Sequence, residues 1–357
     1  MTDTADVTER ARAPGGHDPP EGHEAAEMLA SARRRVGPEL RTAVASLPEA
    51  LRRVALPSLG WGHADGTPTL GGAGAAAGPA LVLAAVRALG GDPGAAARAA
   101  AAVELTHGRT RLHDGVLDRA TARGGRPGDA VPGEVDVILA GDALQAVAQR
   151  LLAEDPHPGA PAAAVRLAAC VVELCAARHA ERVLEGRRCA EVSAAEWIAV
   201  AEAGAGALLG CACAIGAVYA GAGPEVADAL DGFGRQAGLA FRLIDDVIGI
   251  WGDPARTGGP ARAVLAAPRK PLPVVAALAS GTPDGAALVG LYDRGPGERD
   301  PERVARAVER AGGRDWAQTQ AADRMSRALG ELARAVPDPE RAGGLLALVE
   351  FLTRRPC

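Results

Sequence analysis

The chain has 357 residues, a net charge of −5, 48% hydrophobic residues and only 3% aromatic ones. Abundant alanine with few aromatics favours helix over a large sheet, and the length suits one large domain. The acidic balance, without a long basic run, argues against a nucleic-acid partner.

Residues 1–23 are polar and contain Pro14, Pro19 and Pro20, so they read as a disordered tail. The tail lacks the apolar core of a signal peptide. Residues 24–357 are expected to form a single all-α domain. Glu24 to Val36 and Glu49 to Leu56 read as short amphipathic helices, and Gly60 to Gly78 as a Gly/Ala-rich connector. Pro79 opens an apolar helix, and Asp92 with Pro93 is read as the cap and first turn of a long one. Gly124 to Gly133 reads as a loop. Val135 to Leu152 and Ala162 to Leu184 are the next helices. Ser193 with Glu196 forms a capping box that starts a helix running to Tyr219. Ala203 to Gly223 carries no charge and is long enough to span a bilayer, but its Ala/Gly content points to a buried bundle helix rather than a membrane span. Pro224 opens another helix, and four more are expected over Pro271–Ala279, Pro301–Ala311, Arg314–Ala335 and Pro339–Leu352. No strand pattern stands out.

The six cysteines include no CxxC pair. Cys211 and Cys213 fall on different sides of a helix, so reduced, buried thiols in a cytoplasmic protein are expected rather than a zinc site.

Two carboxylate sets carry the chemistry. Val226, Leu230, Phe233, Ala237, Phe241, Ile244 and Ile248 recur at three and four, the period of one helix face. That pattern sets Asp245 and Asp246 deep in an apolar helix, with no lysine or arginine one turn later. Such a pair is costly unless a cation meets it. A Gly/Pro/Arg loop, Gly252 to Lys270, follows, and Lys270 leads into another apolar run; this arrangement suits a metal-bound diphosphate. The second set is Asp114 and Asp118, four apart on one helix face, where they repel one another. Arg119, Arg123 and Arg126 follow.

The run DDVIGIWGDP, then TG, then KPLPVVAAL, resembles the second aspartate-rich region of the polyprenyl synthetases, the trans-isoprenyl diphosphate synthases. DGVLD, from Asp114 to Asp118, is similar to that family's first motif, DDxxD, with Gly115 inside it. The resemblance implies an isoprenoid synthase type I fold: an all-α helical bundle around a central cavity, working as a homodimer. It implies Mg2+ as cofactor and a prenyl diphosphate as substrate. Asp114, Asp118, Asp245 and Asp246 would be the catalytic carboxylates, the first three of them metal ligands. Arg123, Lys270, Arg242 and His107 would contact diphosphate. A homologous partner subunit, or an encapsulin shell for the tail, are further partners raised by the resemblance.

The chain departs from the family pattern at basic positions. GAAAGP stands for GKxxRP, leaving Ala75 and Gly78 at cationic positions. Gly124 follows Arg123 where a second arginine is expected. Gly204-Ala205 replaces Lys-Thr, Gly259 replaces a lysine, and Arg242 replaces a glutamine. Arg109 and Arg111 stand where apolar side chains are usual; they compensate for lost cations, or lie on the surface, or pair with Asp114. Neutral residues cannot replace charge-assisted bonds to diphosphate. Three readings follow: a terpene-synthase-like enzyme ionising one prenyl diphosphate, a chain-elongating prenyl diphosphate synthase, and a non-catalytic subunit. The losses around the second diphosphate site place the first ahead.

Overall fold

The computed structural model describes residues 20–60, 76–117, 133–188, 191, 193–254, 262–266, 270–292 and 298–353. Among the described residues there are helices and turns and no strand. The helices are α1 Pro20–Ala45, α2 Glu49–Leu59, α3 Ala77–Ala88, α4 Ala97–Leu117, α5 Glu134–Ala153, α6 Ala160–Gly186, α7 Ala194–Ala201 and α8 Ala207–Tyr219. A five-residue π-helical turn, Glu202–Gly206, joins α7 to α8. Then come α9 Pro224–Trp251, α10 Ala263–Ala266, α11 Leu272–Leu278, α12 Pro283–Tyr292, α13 Pro301–Arg310, α14 Gly313–Ala335 and α15 Pro339–Thr353.

Helix α9 is the axis of the bundle, packed between α8 and α14. Its apolar stripe buries Leu230, Phe233, Ala237, Leu243, Val247 and Ile250. The α8–α9 contact is close because both helices present glycine there. A methyl at Gly234 would strike the Leu209 carbonyl, and one at Gly238 the Ala205 carbonyl. Gly216 does the same for α8 against α3, where a methyl would meet the Val82 carbonyl. The Ala/Gly run read as buried is therefore buried by backbone-to-backbone approach, which larger side chains would prevent. By length and composition, both α6 and the run Ala194–Tyr219 could cross a membrane. Here they pack as bundle helices, α8 against α3, α6 and α9.

Several expected boundaries move. Helix α1 starts at Pro20 and runs past Val36, through Pro38. Ala32, Val36, Leu40 and Val44 are buried along one side while Pro38 is exposed, so the lost hydrogen bond falls on the solvent face and burial carries the helix on. Asp92 does not cap a helix. Its Oδ1 accepts from the Gly94 N–H at 2.8 Å, a local turn, and α4 begins only at Ala97. Helix α3 begins at Ala77, ahead of Pro79. The capping box forms as expected: Ser193 Oγ accepts from the Glu196 N–H at 3.2 Å and Glu196 Oε2 from the Ser193 N–H at 2.9 Å. The run it starts reaches Tyr219 as expected, with a single π turn at Glu202–Gly206 inside it. Helices α10 and α12 had no counterpart in the sequence reading; α10 lies inside the stretch taken as loop.

The candidate active site

The site lies where α4, α6, α9 and the turn after α7 converge. Thr110, Asp114, Ala177, Arg178, Glu181, Trp197, Gly204, Arg242 and Leu272 are among the residues lining a cavity of about 100 Å³ there. Its floor is apolar: Trp197 is 2% exposed and packs in a cluster with Leu184, Leu243, Val247 and Leu272.

A ladder of ion pairs crosses the cavity. Arg178 Nε lies 3.2 Å from Asp114 Oδ1, and Arg178 Nη1 donates to Glu181 Oε2 at 2.6 Å. Glu181 Oε1 accepts from Arg242 Nη2 at 3.3 Å, and Arg242 Nε donates to Asp246 Oδ1 at 3.1 Å. The chain Asp114–Arg178–Glu181–Arg242–Asp246 thus links α4, through α6, to α9. Burial by itself would lower the pKa of Arg242, but Asp246 and Glu181 outweigh it and hold the guanidinium charged. Arg178 and Glu181 were missed by sequence reading. The available signal was an Arg-x-x-Glu pair on the side of α6 opposite Val172 and Ala176, among the other charged residues of RHAERVLE.

Neighbouring carboxylates on α9 have separate fates. Successive residues on a helix point about 100° apart. Asp246 is 5% exposed and Asp245 faces solvent. Asp245 therefore does not sit deep in an apolar helix, as its neighbours suggested. Asp246 does, and its cation comes from the preceding turn, Arg242, rather than the following one. Its Oδ2 also accepts from the Leu272 N–H at 2.8 Å, so Asp246 fixes the start of α11 against α9. In this structure both oxygens of Asp246 are engaged by the protein itself, one by Arg242 and one by the Leu272 N–H.

Lys270 is likewise engaged by the protein itself. It is 5% exposed, and its Nζ donates to the carbonyls of Leu184 at 3.1 Å, Glu185 at 2.9 Å and Arg187 at 3.1 Å. Those are the terminal carbonyls of α6, the negative end of its dipole, which a buried ammonium complements. The lysine tethers the second aspartate-rich region to α6 rather than presenting its charge to the cavity.

His107 is not a ready cation. Burial pushes its imidazole below the ordinary value of 6.5; Glu104 and Asp114 act to raise it and Arg111 to lower it. Arg111 is exposed, and Arg109 donates to Cys175 Sγ at 3.1 Å, between α4 and α6. Cys170, Cys211 and Cys213 are buried free thiols. Gly78 is buried, and a Cβ there would lie 2.9 Å from Val103 Cγ1, so a side chain at that position requires Val103 to move. Asp118, Arg123, Ala75, Gly124 and Gly259 lie outside the described residues, as do residues 1–19.

Asp114 remains the described carboxylate at the cavity mouth, 42% exposed. Among the described residues no group of three His, Cys, Asp or Glu side chains is gathered to hold an ion by itself. Hard oxygen donors in ones and twos still fit magnesium, which keeps waters and takes its remaining ligands from substrate phosphates.

An all-α bundle with a carboxylate-rimmed cavity at its axis defines the isoprenoid synthase fold. The polyprenyl synthetase family profile matches residues 69–310. A geranylgeranyl diphosphate synthase of Mycobacterium tuberculosis is 40% identical over 334 residues, covering 92% of this chain and 94% of that one. A (2E,6E)-farnesyl diphosphate synthase of Mycobacterium bovis is 35% identical over 337 residues, covering 92% of each. The crystal structure of a polyprenyl synthetase from Streptomyces coelicolor A3(2) superposes with a TM-score of 0.84 at 34% identity, covering 92% of this chain and 99% of the other. The chain belongs to the polyprenyl synthetase family.

Proposed function

We propose that this protein is a chain-elongating prenyl diphosphate synthase, joining an allylic prenyl diphosphate to isopentenyl diphosphate. The observation that carries this reading is the end-to-end match to synthases of C15 and C20 prenyl diphosphates, at up to 40% identity. It replaces the terpene-synthase-like reading that the missing basic residues had put first: cyclisation finds no support among the relatives.

In this reading Asp114, with Asp118 beyond the described residues, and Asp245 on α9 hold magnesium. The metal supplies positive charge to the departing diphosphate when it is bound. Arg242 holds Glu181 and Asp246 in place at the cavity wall. Trp197, Leu272 and Ala201 keep water from the allylic tail.

The reading of a non-catalytic subunit is favoured by one observation, the close packing of Gly78 against Val103 where a cation would be needed. One assay separates the two. Purified protein, magnesium, an allylic diphosphate of ten or fifteen carbons and labelled isopentenyl diphosphate give longer prenyl diphosphates if the synthase reading holds. Incorporation only after a homologous synthase is added would replace it with the subunit reading.

We also propose a homodimer formed through α6. Val165 is 70% and Val172 69% exposed, and with Ala168, Ala169 and Ala176 they make an apolar outer face on that helix. Val172→Glu should shift the protein toward monomer in sedimentation velocity. The free thiols at Cys170, Cys175, Cys211 and Cys213 support a reducing compartment such as the cytoplasm.

A further inference from the structure

Arg178 stands between two carboxylates, and one of them has a second claim on it. Asp114 is the candidate metal ligand of α4 and, at 3.2 Å, also the counter-ion of the Arg178 guanidinium. A carboxylate drawn to a divalent cation has less charge to offer an arginine. Glu181 holds Arg178 at 2.6 Å but shares its charge with Arg242 at 3.3 Å, so it does not replace what Asp114 supplies. Arg178 is only 15% exposed, so weakening that pair makes an added anion in the cavity more favourable to its guanidinium.

The group best matched to such a charge is a phosphate, whose oxygens a guanidinium engages in parallel pairs. We propose that Arg178 is a diphosphate-binding residue held in reserve by Asp114, and handed to the diphosphate when a metal claims that carboxylate. This rests on the prenyl diphosphate reading above. The exchange makes metal and diphosphate binding cooperative, each favouring the state that the other requires. Arg178 would thereby act as a metal-gated contact, distinct from Arg242, whose buried partner Asp246 is fixed to the start of α11.

The test is calorimetric titration of pyrophosphate into the full chain, in EDTA and in magnesium. In EDTA, Asp114→Asn should tighten pyrophosphate binding several-fold, because it frees Arg178 without any metal. The gain should vanish in the double variant Asp114→Asn/Arg178→Gln, a coupling that simple loss of negative charge would not produce. In magnesium, Arg178→Gln should weaken binding about tenfold or more, with Arg178→Lys intermediate. Absence of the EDTA gain in Asp114→Asn, or its persistence in the double variant, overturns the proposal. Asp114→Ala serves the same arm if circular dichroism shows the asparagine variant misfolded. Failure of the wild-type protein to bind pyrophosphate with magnesium would instead overturn the diphosphate reading, while the EDTA arm still reports on the exchange.

Discussion

Arg242 and Asp246 lie one turn apart on α9, Nε to Oδ1 at 3.1 Å, and Asp246 passes the constraint on to the Leu272 N–H. A buried carboxylate that has lost its cation is far costlier than a pair removed together. Arg242→Met should therefore destabilise the fold by about 3–5 kcal/mol. The double variant Arg242→Met/Asp246→Asn should recover part of that loss. Chemical denaturation of the three proteins measures both. Equal stability of the single and double variants would show that the pair is not coupled.

Lys270 gives a second stability test with a built-in functional control. Its three bonds to the α6 carbonyls are charge-assisted and buried. Lys270→Met should cost about 2–4 kcal/mol, allowing for partial relaxation of the helix end. In temperatures where the variant is folded, its affinity for pyrophosphate with magnesium should stay within about threefold of wild type. A large loss of affinity with little loss of stability would return Lys270 to the diphosphate site.

The lowered pKa of His107 makes a pH prediction. The unfolded imidazole titrates near 6.5 and the folded one below it, so the unfolded state binds more protons as the medium is acidified. Stability from this group is fully present above 6.5 and falls as pH drops through the folded value. His107→Gln should flatten that part of the stability curve, measured as the denaturation midpoint between pH 7.5 and 5. An unchanged slope would mean His107 is not the titrating group.

Restoring basic residues at the second diphosphate site meets a packing barrier at Gly78. A Cβ there comes within 2.9 Å of Val103 Cγ1, so Gly78→Arg should destabilise by about 1–3 kcal/mol. Adding Val103→Ala should relieve the collision and recover part of the melting temperature. Gly78→Arg as stable as wild type would show that α3 and α4 can separate without cost.

The sequence by itself determined most of the helices, and the buried face of α9 only as far as Ala237, since beyond it Leu243, Val247 and Ile250 are buried rather than Phe241, Ile244 and Ile248. Period-3.6 patterning, the Ser193–Glu196 capping box and the prolines before α9, α13 and α15 are local signals, and each placed a helix within a few residues. Where burial overrode a local signal, as at Pro38, or where a short helix had a cap but no clear period, as in α12 behind Thr282, local reading failed. The family was legible because its motifs are short runs of contiguous residues, DDVIGIWGDP above all. Only the tertiary structure decided what the charges do. Arg178 and Glu181 are separated from Arg242 by some sixty positions, yet they share one cavity, since α6 and α9 both line it. Lys270 meets carbonyls more than eighty positions away. Coulomb attraction acts through space and rewards whichever opposite charge or carbonyl the packed helices bring near. No sequence spacing records that, so which charges pair was settled by the packing of the bundle.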